Sequence, residues 1–169
     1  MKDLTRYMAV RGQMKTGDLL QWKTNSIIGA LIRWRTGADV NHSSLVIKFS
    51  EYEGADMRRY TTEALEHGTV LNYLSRRLYD HDGECWWYPL KDEWDNNRRT
   101  EIGERALELI GLPYDYGSIF KQIFGKVSAG ARSLFCSEYC YLSYGMNGQA
   151  PTPADMPGLG IYKEGVKIL

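Results

Sequence analysis

Histidine is scarce in this sequence, with three in 169 residues, and cysteine is equally scarce at three. A metal centre of these residue types needs several of them at ligand spacing, and Cys136 with Cys140 has no second cluster to complete a four-ligand set. No metal and no cofactor are therefore expected. An odd cysteine count in a chain of intracellular character argues against a disulfide framework, so Cys85, Cys136 and Cys140 are read as free thiols. An excess of one charge is missing too: 21 Lys and Arg balance 21 Asp and Glu. Without a basic stripe to track phosphates, nucleic acid is excluded as the expected partner. No run of eighteen apolar residues could span a bilayer, and Met1-Lys2-Asp3-Leu4-Thr5-Arg6-Tyr7 lacks the apolar stretch of a signal peptide. The expectation is a soluble, cytosolic protein with no integral membrane segment.

What is present is apolar and aromatic content, 43% and 12% of residues, enough for the core of one domain over residues 1–169. Gly17-Asp18-Leu19-Leu20-Gln21-Trp22-Lys23 reads as a turn feeding a strand, and residues 27–34 carry helical spacing stopped by Gly37. The run from His42 to Phe49 predicts a largely buried strand. A polar turn over 51–56 leads to a strand through Arg59-Tyr60-Thr61-Thr62-Glu63-Ala64-Leu65-Glu66-His67, with Gly68 at its end in a hairpin turn. Further strands are expected over 70–74 and 85–90, with a solvated loop at Asp80-His81-Asp82-Gly83 between them. Residues 100–112 place Ile102, Ala106, Leu109 and Ile110 at helical spacing, with Gly111 near the stop. Shorter helices are expected from Tyr114 to about Gly125 and from Cys136 to Tyr144, the latter closed by Gly145. Pro151, Pro153 and Pro157 keep the following stretch extended or looped. Strands early and helices late predict an α+β fold, an antiparallel sheet packed against helices.

Cys136 stands where Arg132-Ser133-Leu134-Phe135 gives way to this last helix. Unpaired N–H groups and the positive dipole end at a helix N-terminus favour a thiolate there, and the same N–H groups could hold an oxyanion. The competing reading is a buried, inert thiol. Cys140, one turn on, is read as packing within the helix. A thiolate needs a base, and His42, at the mouth of an apolar strand, is the candidate; an exposed loop histidine is the alternative. His67 and His81 are read as surface residues. Glu63, flanked by apolar Ala64 and Leu65, would need a partner if buried, either an imidazolium or one of the arginines.

Taken together these pieces resemble the circularly permuted branch of the NlpC-type papain-like cysteine peptidases, the YiiX/YebB-like proteins, distantly related to lecithin:retinol acyltransferase. Gly17-Asp18-Leu19-Leu20 is similar to the family's opening strand, and Asn41-His42-Ser43-Ser44-Leu45-Val46-Ile47 to its histidine strand. Thr62-Glu63-Ala64 with Gly68-Thr69-Val70 resembles the Glu-Ala strand pair, and Leu112-Pro113-Tyr114-Asp115 the Pro-Tyr-Asp turn. Phe135-Cys136-Ser137-Glu138-Tyr139 resembles the nucleophile's helix start. Histidine before cysteine reverses papain's order, as permutation requires; a triad is defined by spatial roles.

The resemblance implies a papain-like cysteine hydrolase with Cys136 as nucleophile, His42 as base, Glu63 orienting His42, and Tyr114 lining the cleft. It implies cleavage of amide or ester bonds through an acyl-enzyme, with a small peptide, amide or lipid as substrate, cell-wall peptides first. Many relatives carry export signals, so the absence of one here leaves a cytosolic or phage-encoded protein as the expectation. The alternatives are a non-catalytic or phage-associated binding module and a lipid-directed acyltransferase. A metal-dependent hydrolase would need more histidines.

Overall fold

A computed structural model describes residues 2–24, 39–49, 58–65, 68–111 and 134–169, with the backbone alone described at 134 and 135. Its centre is a six-stranded antiparallel sheet built from β1 (Leu19–Thr24), β2 (His42–Ile47), β3 (Tyr60–Leu65), β4 (Gly68–Tyr73), β5 (Gly83–Tyr88) and β6 (Val166–Lys167), in the order β4-β3-β2-β1-β5-β6. The described helices are α1 (Thr5–Val10), α2 (Leu74–Asp80), α3 (Asn96–Glu108) and α4 (Leu134–Ser143), with short 3-10 turns at Arg11–Gln13 and Met156–Leu159. The molecule is thus α+β, an antiparallel sheet packed against helices, as expected.

Alternation along the central strands sends side chains into two cores. Leu19, Leu45 and Ile47 join Ile102, Ala106, Tyr139 and Cys140 beneath α3 and α4. Leu20, Trp22, Val46 and Cys85 join Tyr7, Leu74 and Leu78 beneath α1 and α2. This two-sided burial explains why Leu19-Leu20 of β1 and Leu45-Val46-Ile47 of β2 are consecutive apolar residues, since successive side chains enter opposite cores. Ile168, fully buried, carries the end of the chain into the second core beside β6.

Asp18 ties these layers together. Its buried carboxylate accepts from Trp87 Nε1 at 2.9 Å, Leu90 N at 3.0 Å, Lys15 N at 2.9 Å and Arg99 Nη1 at 2.8 Å. Arg99 lies on α3, so one charged group joins the turn before β1 to β5 and to a helix, and four donors offset its desolvation. Gly83 opens β5 at φ +147°, where an added Cβ would stand 1.8 Å from the Lys23 carbonyl oxygen, so no side chain fits.

Several sequence expectations change. Residues 74–80 form α2 rather than the tail of a strand and the start of a loop, because Leu74 and Leu78 lie one turn apart on the same buried face. Two elements are additional: α1, and β6, which follows the proline-containing segment and closes one sheet edge. Helix α3 forms where a helix is expected but lies four residues earlier, Asn96–Glu108 against 100–112, because Asp95 serves as N-cap, accepting from Arg98 N, and the chain turns at 109–111. Helix α4 also forms where expected, ending before Gly145 at φ +73°. The helices expected over 27–34 and from Tyr114 to Gly125, and the turn over 51–56, lie outside the described residues. Leu65 pairs with Gly68, so β3 and β4 form the expected hairpin, its two connecting residues also outside the description.

Candidate active site

Helix α4 is held by its own residues. Tyr139 Oη donates to the Ala106 carbonyl at 2.9 Å and sits 2.7 Å from Thr62 Oγ1, which therefore donates to it. Arg105 Nε donates to the Ser143 carbonyl at 2.9 Å, capping the helix C-terminus. The helix is thereby fastened to both α3 and β3, and Cys136, in its first turn and 2% exposed, takes its place from that fastening.

His42 is the first residue of β2. The backbone there is pinned to β1, with Asn41 N donating to the Trp22 carbonyl at 3.0 Å and Asn41 Oδ1 accepting from Thr24 N at 3.1 Å. The imidazole hydrogen-bonds to Cys136 on one side. On the other, its Nε2 lies 2.8 Å from Glu63 Oε2, which leaves Nδ1 as the atom that faces sulfur. Its side chain is 16% exposed, while that of Glu63 is fully buried.

Glu63 meets both partners that the sequence left open. Besides His42, it accepts from Arg77 Nε to Oε1 at 2.8 Å and from Arg77 Nη2 to Oε2 at 3.2 Å. Arg77, on α2, lies over the Trp22 ring at 4.7 Å. Its Nη1 sits 3.3 Å from His81 Nδ1, and His81 Nε2 lies 3.1 Å from the Lys23 carbonyl oxygen. A guanidinium only donates and a carbonyl only accepts, so His81 is the neutral tautomer with its proton on Nε2. This overturns the reading of His81 as a solvated surface residue: it is 4% exposed, edge-on to Trp22 at 5.0 Å, while Asp80 and Asp82 face water.

The electrostatics follow from these contacts. Burial opposes protonation of His42, but its electrostatic interaction and hydrogen bond with Cys136, followed by those with Glu63, outweigh it and raise its pKa to about 9. Burial likewise pushes Glu63 up, yet the hydrogen bond and charge of His42, then Arg77, bring it down to about 2. Burial, joined by the Arg77 charge, lowers His81 to about 4. Burial raises the thiols of Cys85 and Cys140 well above their ordinary range.

Of the four residues singled out from the sequence, three come together: Cys136, His42 and Glu63. Tyr114 lies outside the described residues, as does His67. Arg77 went unrecognised, being one basic residue in a segment read as strand and loop; only the need of a buried Glu63 for a cation pointed toward it.

No protein-family model matches the sequence, and no curated protein does. A solved structure does: the metalloprotein YiiX of Escherichia coli O157:H7, described as DUF1105, aligns with a TM-score of 0.58. The chain is similar in fold to YiiX. Identity is 18%, and the alignment covers 78% of this chain but 65% of YiiX, so this chain spans less than two thirds of that protein's length. The likeness to YiiX is one of fold.

YiiX is a metalloprotein, whereas the residues gathered here are already committed to one another. Both Glu63 oxygens are engaged by Arg77 and His42, and a guanidinium beside a carboxylate opposes a dication at the same oxygens. Among the described residues no three His, Cys, Asp or Glu side chains gather as metal donors. The donor set does not fit a metal. Among the described residues, too, no helix is long and apolar enough to cross a membrane.

Proposed function

We propose that this chain is a cysteine hydrolase of the permuted NlpC-type papain-like kind, cleaving amide or ester bonds through an acyl-enzyme on Cys136. The observation that carries the reading is the hydrogen-bonded series Cys136, His42, Glu63, in which one imidazole joins a thiol to a fully buried carboxylate. A nucleophile, a base and a group that orients the base are the parts thiol catalysis requires.

In the proposed cycle the Cys136 sulfur attacks the substrate carbonyl carbon as a thiolate, with the proton resting on His42. The carbonyl oxygen takes the negative charge and is met by backbone N–H groups in the first turn of α4. Collapse breaks the bond to the leaving amine or alkoxide, which takes its proton from His42 Nδ1. His42, now neutral, removes a proton from water; the hydroxide adds to the thioester, and the acid departs as sulfur regains its starting state. Glu63 stays ionised and holds the Nε2–H. A raised imidazole pKa suits a ring that begins the cycle protonated beside a thiolate.

Small peptide amides, cell-wall peptides among them, are the proposed substrates, with small lipid or amino-acid amides in the same chemical class. Tyr114 is proposed as a cleft residue on the motif alone. Incubation with an activated ester followed by peptide mass spectrometry tests the reading. An acyl adduct on Cys136 that disappears on addition of hydroxylamine is expected; no adduct across varied acyl groups favours a binding module instead.

A further inference from the structure

We propose that Arg77 is a positioning residue of this site, holding Glu63 so that its Oε2 fixes the His42 ring in the orientation that serves Cys136. The inference rests on the hydrolase reading and extends it to a residue on another layer of the fold. Cys136 comes from α4 over one core, whereas Arg77 comes from α2 over the other, and His42 and Glu63 on adjacent strands bridge them.

The geometry is a fork. Nε and Nη2 of Arg77 take one carboxylate oxygen each, and Oε2 is shared with His42. A carboxylate so gripped cannot rotate about its last bond without breaking two charge-assisted hydrogen bonds, so the acceptor presented to His42 has one direction. Arg77 is itself held. Its guanidinium stacks on Trp22, and its third nitrogen donates to neutral His81, which is tied through Nε2 to the Lys23 backbone of β1. The chain from Cys136 to the β1 backbone is continuous through five side chains.

A bare ion pair would need charge alone, and a lysine could supply it; the two-point grip and the contact to His81 need a planar guanidinium. Among the described residues Glu63 is contacted by His42 of β2 and Arg77 of α2, and its charge also reaches the thiols of Cys85 on β5 and Cys140 on α4, with Cys136 beyond His42. His81 faces Arg77 and, at longer range, Lys2. Among the described residues Arg77 is the cation that contacts Glu63 apart from His42, so its loss leaves the carboxylate with the imidazole as its described partner.

The test compares wild type, Arg77→Met and Arg77→Lys in two measurements: carbon-13 titration of the Glu63 carboxyl, and the pH profile of Cys136 acylation by an activated ester. In Arg77→Met the Glu63 midpoint is expected to rise by about one unit or more. Acylation is expected to slow by about tenfold or more, its acid limb moving upward with Glu63. Arg77→Lys should return the Glu63 midpoint toward wild type and recover only part of the rate. A folded Arg77→Met with wild-type rate and profile overturns the positioning role, and so does an unmoved Glu63 midpoint. Should Arg77→Met fail to fold, Arg77→Lys decides: full rate overturns the role, and a reduced rate with Glu63 titrating as in wild type supports it. A wild-type protein that takes no acyl group overturns the hydrolase reading and the proposal together, whereas acylation of wild type with indifferent Arg77 variants overturns the positioning role alone.

Discussion

His42 Nε2 and Glu63 Oε2 meet at 2.8 Å across two adjacent antiparallel strands, and the same carboxylate oxygen also takes a hydrogen bond from Arg77. One buried anion thus serves two cations, one on the sheet and one on a helix behind it. That sharing sets how the molecule responds to pH.

Stability should be greatest near pH 6.5 and fall on either side. His42 is raised from 6.5 to about 9, so its contribution is complete below pH 6.5 and is lost as the pH climbs through about 9. His81 is lowered from 6.5 to about 4, so its contribution is complete above pH 6.5 and is lost as the pH falls through about 4. Glu63, lowered from 4.5 to about 2, adds a further loss below pH 4.5. Urea midpoints followed by tryptophan fluorescence across this range would read the curve. Cys136→Ala should flatten the alkaline side and His81→Gln the acid side down to about pH 4. A curve unchanged by both variants would contradict the assignment.

Asp18 should matter for folding rather than chemistry. Asp18→Ala leaves the buried Arg99 guanidinium, with a side chain 9% exposed, without its counter-charge. Removing one partner of such a pair costs about 3–5 kcal/mol, which a denaturation midpoint would register. A loss below about 1 kcal/mol would show that water replaces the carboxylate at little cost.

These two carboxylates mark what can and cannot be read from residues in order. Glu63 sits in a strand run beside apolar Ala64 and Leu65, which predicts that a buried carboxylate there needs a partner, whereas Asp18 reads only as part of a turn; for both, the partner lies wherever the chain returns. For Glu63 the two possible partners, imidazolium and arginine, both occur in the structure, because an ionised carboxylate has room for more than one donor. Strands β1, β2 and β5 were readable because each carries a compact set of apolar or aromatic residues, Leu19-Leu20 with Trp22, Leu45-Val46-Ile47, and Cys85-Trp86-Trp87-Tyr88. Helix α2 was not, since seven residues with two apolar contacts carry little periodicity. His81 looked solvated because its neighbours Asp80 and Asp82 are, while the ring itself turns inward onto Trp22 and fills a slot beside Gly83.

The two cysteines of α4 should separate cleanly in function. Cys136→Ala is expected to abolish turnover of any accepted amide or ester while the far-UV spectrum stays native. Cys140→Ala, in the core under the same helix, should keep activity and lose about 1 kcal/mol of stability from the small cavity. Equal loss of activity in both variants would mean that the helix is needed for packing and the thiol is not.

The most direct measurement is the alkylation rate of each thiol by a neutral haloacetamide near pH 7, resolved by peptide mass spectrometry in wild type and His42→Ala. Cys136 should react first, and its rate should drop when the imidazole is removed, while Cys85 and Cys140 stay slow in both proteins. A faster Cys85, or a Cys136 rate indifferent to His42, would contradict the thiol–imidazole pair on which the hydrolase reading stands.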